Sequence, residues 1–284
     1  MKKIYLLLLA VLLTMPFARA QSNSTPLQLS KKIFSTDSFP DLHKHITGEY
    51  NGHPNGHDDI NPLMKISFEL LSQNLNTAVV AIQLSDSSGV GVDTYLHFKK
   101  DTIWKAQAFR ALAMTGMIQA GYEQLKALTP AQVDSVIKTP NKSEAGTRMF
   151  KSKKEYQYLL NNAQLTLSSD KQLIAHFIKN KVQFEKLKNE LVSKGIMRST
   201  GGIKSLKNGK ALREKVEALL LHDVRPDDNG DSDISNLNFT IGGILDNTVG
   251  YLYIPDVKYV PKMSPHNFIM IRKMAPCWYI YKTT

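Results

Sequence analysis

Two stretches of the chain hold residue types that could act together on a ligand. Asp93, Tyr95 and His97 alternate along GVDTYLHFKK, so a carboxylate, a phenol and an imidazole share one strand face and supply the parts of general acid-base work. The plainer reading of the same alternation is the water-facing side of a sheet, where polar residues recur at every second position. His43, His45, His53 and His57, followed by Asp58 and Asp59, put half of the chain's 8 histidines into one short string. Imidazole nitrogen suits zinc, copper or nickel. The spacing fits no metal signature, however, and Pro54 with its neighbouring glycines reads as an exposed polar loop.

A third stretch, DDNGDSDI, offers oxygen from Asp227, Asn229, Asp231 and Asp233. It resembles the first half of the calcium loops of EF-hand and dockerin proteins, which implies a calcium ion held by those side chains. Ser232 stands where that pattern wants Gly, Asn238 where it wants a closing carboxylate, and a strand rather than a helix is expected to follow, so a solvated acidic turn is the alternative. There is no Gly-x-Ser-x-Gly elbow, no His-Glu-x-x-His, no paired-cysteine site and no dinucleotide fingerprint. Gly201 to Lys210 lacks phosphate-loop spacing and reads as a flexible loop. The sole cysteine, Cys277, excludes an intrachain disulfide and is expected to be a buried, inert thiol. These absences weigh only mildly against catalysis, because a site assembled from several strands leaves no local motif.

The elements that must position such residues follow from periodicity. Thr77 to Ala113 reads as three antiparallel strands, with Val90, Val92, Thr94, Leu96 and Phe98 on a dry face and Gly91, Asp93, Tyr95, His97 and Lys99 on a wet one. Asp86-Ser87-Ser88-Gly89 and Lys99-Lys100-Asp101-Thr102 supply the turns. Asn61-Pro62 predicts a helix through Leu63, Ile66, Leu70 and Leu71 toward Asn74, the natural lid for the dry face. Residues 21–38 read as extended and 114–127 as helix, and Thr129-Pro130-Ala131-Gln132 caps a short helix to Ile137. A basic junction follows, with a short helix over Tyr156 to Leu160. Ser169-Asp170-Lys171-Gln172 then caps one long helix through Leu173, Phe177, Phe184, Leu187 and Leu191, ended by Gly195. A helix over 210–221 and four closing strands, bounded by Pro255, Pro261, Pro265 and Pro276, complete the chain.

The succession of helix, strand, hairpin and third strand, with YLHFKKDTIWKAQAFRALA at its end, resembles the nuclear-transport-factor-like, cystatin-like α+β roll over His43 to Ala113. That resemblance implies a sheet bent around its covering helices, with a pocket or a dimer surface on one face, in a superfamily that holds enzymes and non-catalytic binders alike. LIAHFIKNKVQFEKL, followed by GYLYI and a terminal WYIY, is similar to a recurrent pattern among uncharacterised exported bacterial proteins. It implies no activity.

Together these readings give an α+β chain of two domains, each with helices packed on a curled antiparallel sheet. The domains are placed at 41–138 and 169–284, joined by a basic linker over 139–168. Residues 1–20, with Lys2, Lys3, an apolar run from Ile4 to Leu13 and Ala18-Arg19-Ala20, read as a signal peptide, and 21–40 as an extended leader. No cysteine lies at the cleavage point and no later apolar run is long enough to span a bilayer, so the expectation is an exported protein, periplasmic or secreted, and not a lipoprotein. Removing Lys2, Lys3 and Arg19 lowers the formal charge of +11 to +8, and residues 138–215 hold 18 Lys and Arg against 6 Asp and Glu. Such a block is either a solvated helix face or an attractor for anionic surfaces, and export ranks nucleic acid low among partners. The leading expectation is a non-catalytic protein that binds a small ligand or a partner protein. The alternatives are a hydrolase or isomerase on the Asp93, Tyr95 and His97 face, and a metal-binding protein that takes zinc or calcium.

Overall fold

The computed structural model describes residues 24–89, 91–139, 149–193, 209–226 and 236–284. The chain is α+β, with two antiparallel sheets. The alternating segment forms β2 (Thr77–Ser85), β3 (Gly91–Lys100) and β4 (Trp104–Ala111), as its period requires. A strand β1 (Lys65–Gln73) precedes them and pairs with β2, giving the order β1-β2-β3-β4. This corrects the helix expected from Asn61-Pro62. Ile66 and Phe68 turn inward while Lys65, Ser67 and Glu69 are exposed, a period of two that outweighs the cap-like residues ahead of it.

The lid is formed instead by residues expected to be extended. α1 (Pro26–Ile33) starts at a capping box in which Thr25 and Gln28 satisfy each other's backbone N–H groups, with Pro26 in the first turn. Leu29, Ile33 and Phe34 pack into the same apolar cluster as Val80, Ile82, Leu96 and Phe98. The backbone N–H groups of Thr47, Glu49 and Tyr50 donate to the carbonyls of Ala106 and Gln107 on β4. At the other edge of the sheet, β1 is bent by an irregularity between Leu70 and Ser72.

The second face of β3 is not wet. Val79, Ala81 and Tyr95 belong to a buried cluster that also holds Phe177, Tyr251 and Trp278 from the C-terminal half. Asp93, Tyr95 and His97 are 8%, 0% and 3% exposed, which overturns their water-facing reading. Period two marks two faces. It does not say whether the polar one meets solvent or another polar surface.

The C-terminal half is a second sheet under helices. Its strands are β5 (Asp223–Pro226), β6 (Leu237–Ile244), β7 (Asn247–Tyr253), β8 (Phe268–Ala275) and β9 (Trp278–Thr283), in the order β5-β6-β7-β9-β8. The last four were expected and β5 was not. Among the helices, α2 (Thr115–Lys126) and α3 (Pro130–Lys138) sit as read. The stretch read as a linker carries α4 (Lys153–Thr166), a 14-residue helix capped by Ser152 and much longer than the expected Tyr156 to Leu160. The single long helix is two, α5 (Asp170–Lys179) and α6 (Lys181–Ser193). Asn180 breaks it, its side-chain amide donating to the carbonyl of His176 at 2.9 Å and competing with the helical pattern. Leu173, Phe177, Phe184, Leu187 and Leu191 are nonetheless all buried, as their spacing predicts. α7 (Lys210–Ala218) ends short of Leu221, and Leu220 takes a positive φ of 56°. Cys277 is half-buried at the β8–β9 turn, with Sγ 3.8 Å from the carbonyl oxygen of Pro255, less enclosed than expected.

One contact sets how closely α4 lies on the sheet. A methyl group at Gly242 would come within 2.4 Å of Thr166 Oγ1, so glycine is required for the helix to seat there.

The corrected lid makes a clean contrast. Leu29 is 0% exposed and Leu63 is 83% exposed. Leu29→Ala is expected to cost about 2–5 kcal/mol. Leu63→Ala should stay within about 0.5 kcal/mol of wild type. Urea denaturation of both variants checks this, and equal losses would restore the helix once expected at Leu63.

Candidate functional site

Packing of the two sheets brings together side chains far apart in the chain. Asp93 and Tyr95 come from β3, Asp170 from the first turn of α5, Arg272 from β8 and Lys282 from β9. Asp93 Oδ2 accepts the backbone N–H of Asp170 at 2.6 Å. That N–H is one of the donors a helix start leaves unpaired, so Asp93 closes α5 from another strand. The Tyr95 hydroxyl donates to Asp170 Oδ1 at 2.8 Å, and Lys282 Nζ lies 2.8 Å from the same oxygen. Lys282 Nζ is also 3.8 Å from Asp93 Oδ2 and 5.6 Å from the Tyr95 ring centre. Arg272 Nη2 sits between Glu69 at 3.1 Å and Asp170 at 3.9 Å.

Loss of water dominates the electrostatics. Burial, and then the Asp170 charge, raise the pKa of Asp93 against the pull of Lys282. Tyr95 is pushed well above the usual phenol value by burial and by the same carboxylate. His97 does not join this group. Burial, with Arg110 nearby, pushes its pKa down to about 4, and its Nε2 is buried without a hydrogen-bond partner. A neutral imidazole is what such a setting favours.

A cleft of about 290 Å³ opens beside the cluster, lined by Ser67, Glu69, Gln83, Asp93, Asp170 and Arg272 among others. Of the three residues singled out from sequence, Asp93 alone lines it. Tyr95 is committed to Asp170 and sealed, so the acid-base trio is not assembled on an open surface. Asp170, Arg272 and Lys282 were missed. Asp170 was read only as part of a helix cap, and its partners Tyr95 and Asp93 stand 75 and 77 positions away, beyond any local signal.

The histidines of the N-terminal loop are turned to different neighbours. His43 Nδ1 faces the carbonyl of Pro40 and His45 Nδ1 that of Trp104, each at 3.3 Å. His53 Nδ1 pairs with Asp59 at 2.8 Å, which raises its pKa, and His57 Nδ1 is 2.9 Å from the carbonyl of Thr36. Among the described residues no group of three or more His, Cys, Asp or Glu is placed to hold a metal ion. Asp227, Asn229, Asp231 and Asp233 lie outside the described residues.

A larger cavity, about 580 Å³, lies between α2, α4 and the second sheet. Ile118, Tyr122 and Leu125 of α2 and Leu159 of α4 line it on the apolar side, and Tyr122, His222, Asp223, Arg225 and Thr240 add polar groups. Its size falls within the range of small-molecule sites. Asp223 Oδ1 is itself sealed from water and has no hydrogen-bond partner.

Removing Lys282 leaves two carboxylates buried together, so Lys282→Met is expected to cost about 3–5 kcal/mol in urea denaturation. The pH dependence has two opposed parts. Asp93 binds its proton more tightly in the folded chain, so its contribution is present below about 3.8 and is lost as the pH rises through the raised folded value. His97 contributes above 6.5 and loses that contribution as the pH falls toward about 4. Relative to wild type, Asp93→Asn should therefore gain stability as the pH rises from 3.8, and His97→Phe should gain as the pH falls below 6.5. Differences that stay flat with pH would remove both assignments. No family model matches the chain, and comparisons with curated proteins and with solved structures return no match, so the site stands on its geometry alone.

Proposed function

We propose that the chain is an exported, non-catalytic binding protein for a small ligand, and that the Asp93 cluster holds its two sheets together. One observation carries this reading. The groups best suited to acid-base chemistry are buried and committed to one another, while a larger open cavity, about 580 Å³, lies elsewhere, between α2, α4 and the second sheet. No helix among the described residues is long and apolar enough to cross a membrane. The reading keeps two units, each of helices on a curled antiparallel sheet whose hydrogen-bonded strands stay within one half, but the expected bounds 41–138 and 169–284 leave out α1 and α4, which pack on those sheets. Lys171, Lys179, Lys181 and Lys186 are exposed along α5 and α6, which would draw such a protein toward anionic surfaces in a salt-sensitive way.

A second reading has one observation in its favour: Asp93, with a raised pKa, borders the 290 Å³ cleft as a general acid or base would. Two measurements on the full chain separate the readings. Thermal shifts across a small-molecule panel should show saturable binding, and ester, amide and isomerase screens should show no turnover above background. Turnover present in wild type and lost in a folded Asp93→Asn variant would establish the enzyme and end the binding-protein reading.

A further inference from the structure

The break between α5 and α6 turns a pair of apolar side chains outward. Phe177 and Phe184 enter the core on either side of it, and the residues between them, Ile178 to Gln183, are exposed except for the half-buried Asn180. Ile178 is 52% exposed and Val182 63%, and Lys179 and Lys181, which stand between them, are exposed as well. A single apolar residue in water is ordinary. Two branched ones on the tip of one elbow, set among lysines, make a small amphipathic surface.

The charge of that surface has no counterweight on its own helices. α5 and α6 hold three carboxylates, and each is already taken: Asp170 by Lys282 at 2.8 Å, Glu185 by Lys188 at 3.0 Å and Glu190 by Lys215 at 2.5 Å. Among the described residues no ion pair joins Lys179, Lys181 or Lys186 to a carboxylate, and Lys181 lies in the field of Glu185 without pairing with it. Beside the tip a groove of about 410 Å³ runs between α6 and α7, lined by Asn180 and Gln183 of the elbow and by Lys186, Lys215 and its partner Glu190. It leaves room for a polar headgroup next to Lys186.

We propose that the elbow between α5 and α6 docks on a bilayer rich in anionic phospholipid, with Ile178 and Val182 entering the headgroup boundary and Lys179, Lys181 and Lys186 meeting the phosphates. Lysine suits this place, because its stem lies along apolar surface while its ammonium stays at headgroup level. An acidic protein would answer the lysines and leave the apolar pair in water, so the combination favours lipid. The inference gives a chemistry to the anionic surface named in the proposed function and does not depend on the small ligand.

Co-sedimentation of the full chain with vesicles of phosphatidylglycerol or of phosphatidylcholine tests this. Affinity is expected to be at least about tenfold higher for phosphatidylglycerol and to fall as salt rises from about 0.1 M to about 0.5 M. Ile178→Ser with Val182→Ser, and separately Lys179→Glu with Lys181→Glu, should each weaken binding at least about tenfold. All four positions are exposed, so both variants should keep the wild-type fold, which circular dichroism checks. Val182→Trp reads the elbow itself, whatever residues 1–20 contribute: its emission should move to the blue on phosphatidylglycerol vesicles, while Trp104 and Trp278 are already buried. Equal affinity for the two lipids, no binding to either, or an emission that does not move would each overturn the docking. Binding that follows the lysines and ignores Ile178 and Val182 overturns it too, and leaves only a salt-sensitive attraction. Polyglutamate bound as tightly as the charged vesicles would overturn it in favour of an acidic protein. None of these outcomes touches the small-ligand reading, which the thermal-shift panel decides.

Discussion

The first turn of α5 is where the structure is tied. A helix start has unpaired N–H groups, and here one of them meets a carboxylate, Asp93, that belongs to the other sheet. Asp170, in that same turn, accepts from Tyr95 and pairs with Lys282, so three elements from opposite ends of the chain meet at one helix end. Buried ions add little net stability over a well-packed apolar contact, but they admit few alternative arrangements. We take the cluster as the device that sets the register of the two sheets, since a strand shift of one residue would leave Asp93 or Lys282 buried alone.

This tie explains the odd character of β3. Its Leu96 and Phe98 sit under α1, its Tyr95 enters the cluster with Phe177 and Trp278, and neither face is left for solvent. The polar groups on the second face were drawn from the same residue types that build active sites. What separates the two uses is access. A phenol sealed behind a lysine and a carboxylate holds position, whereas a ligand needs room, as there is between α2 and α4.

Sequence reading reached the parts of the fold whose signals are local. The strands β2 to β4 announce themselves by alternation, α3 by the box at Thr129 and Gln132, and the Phe177 and Phe184 stripe by its spacing. At two places one local signal masks another. Asn61-Pro62 looks like a helix start and its leucines obscured the alternation of KISFEL, while the Thr25 and Gln28 box was lost among Ser, Asn and Pro. The candidate site was legible only in part. Asp93 was found, but its burial depends on Asp170 and Lys282, which meet it only once both sheets have formed. Asp223 had no signal at all, because an oxygen without a partner is a property of packing and not of spacing.

The two borders of the first sheet are treated differently. Along β4, backbone groups of Ala106 and Gln107 are already taken by the segment that holds Thr47 to Tyr50, so a foreign strand meets an occupied ladder there. β1 keeps its outer border, yet Lys65 and Glu69 place charge along it and the kink after Leu70 spoils the straight run a docking strand needs. Copies of this chain are thereby discouraged from zipping edge to edge, and a sheet rich in Val, Ile and Ala is kept from seeding a fibre.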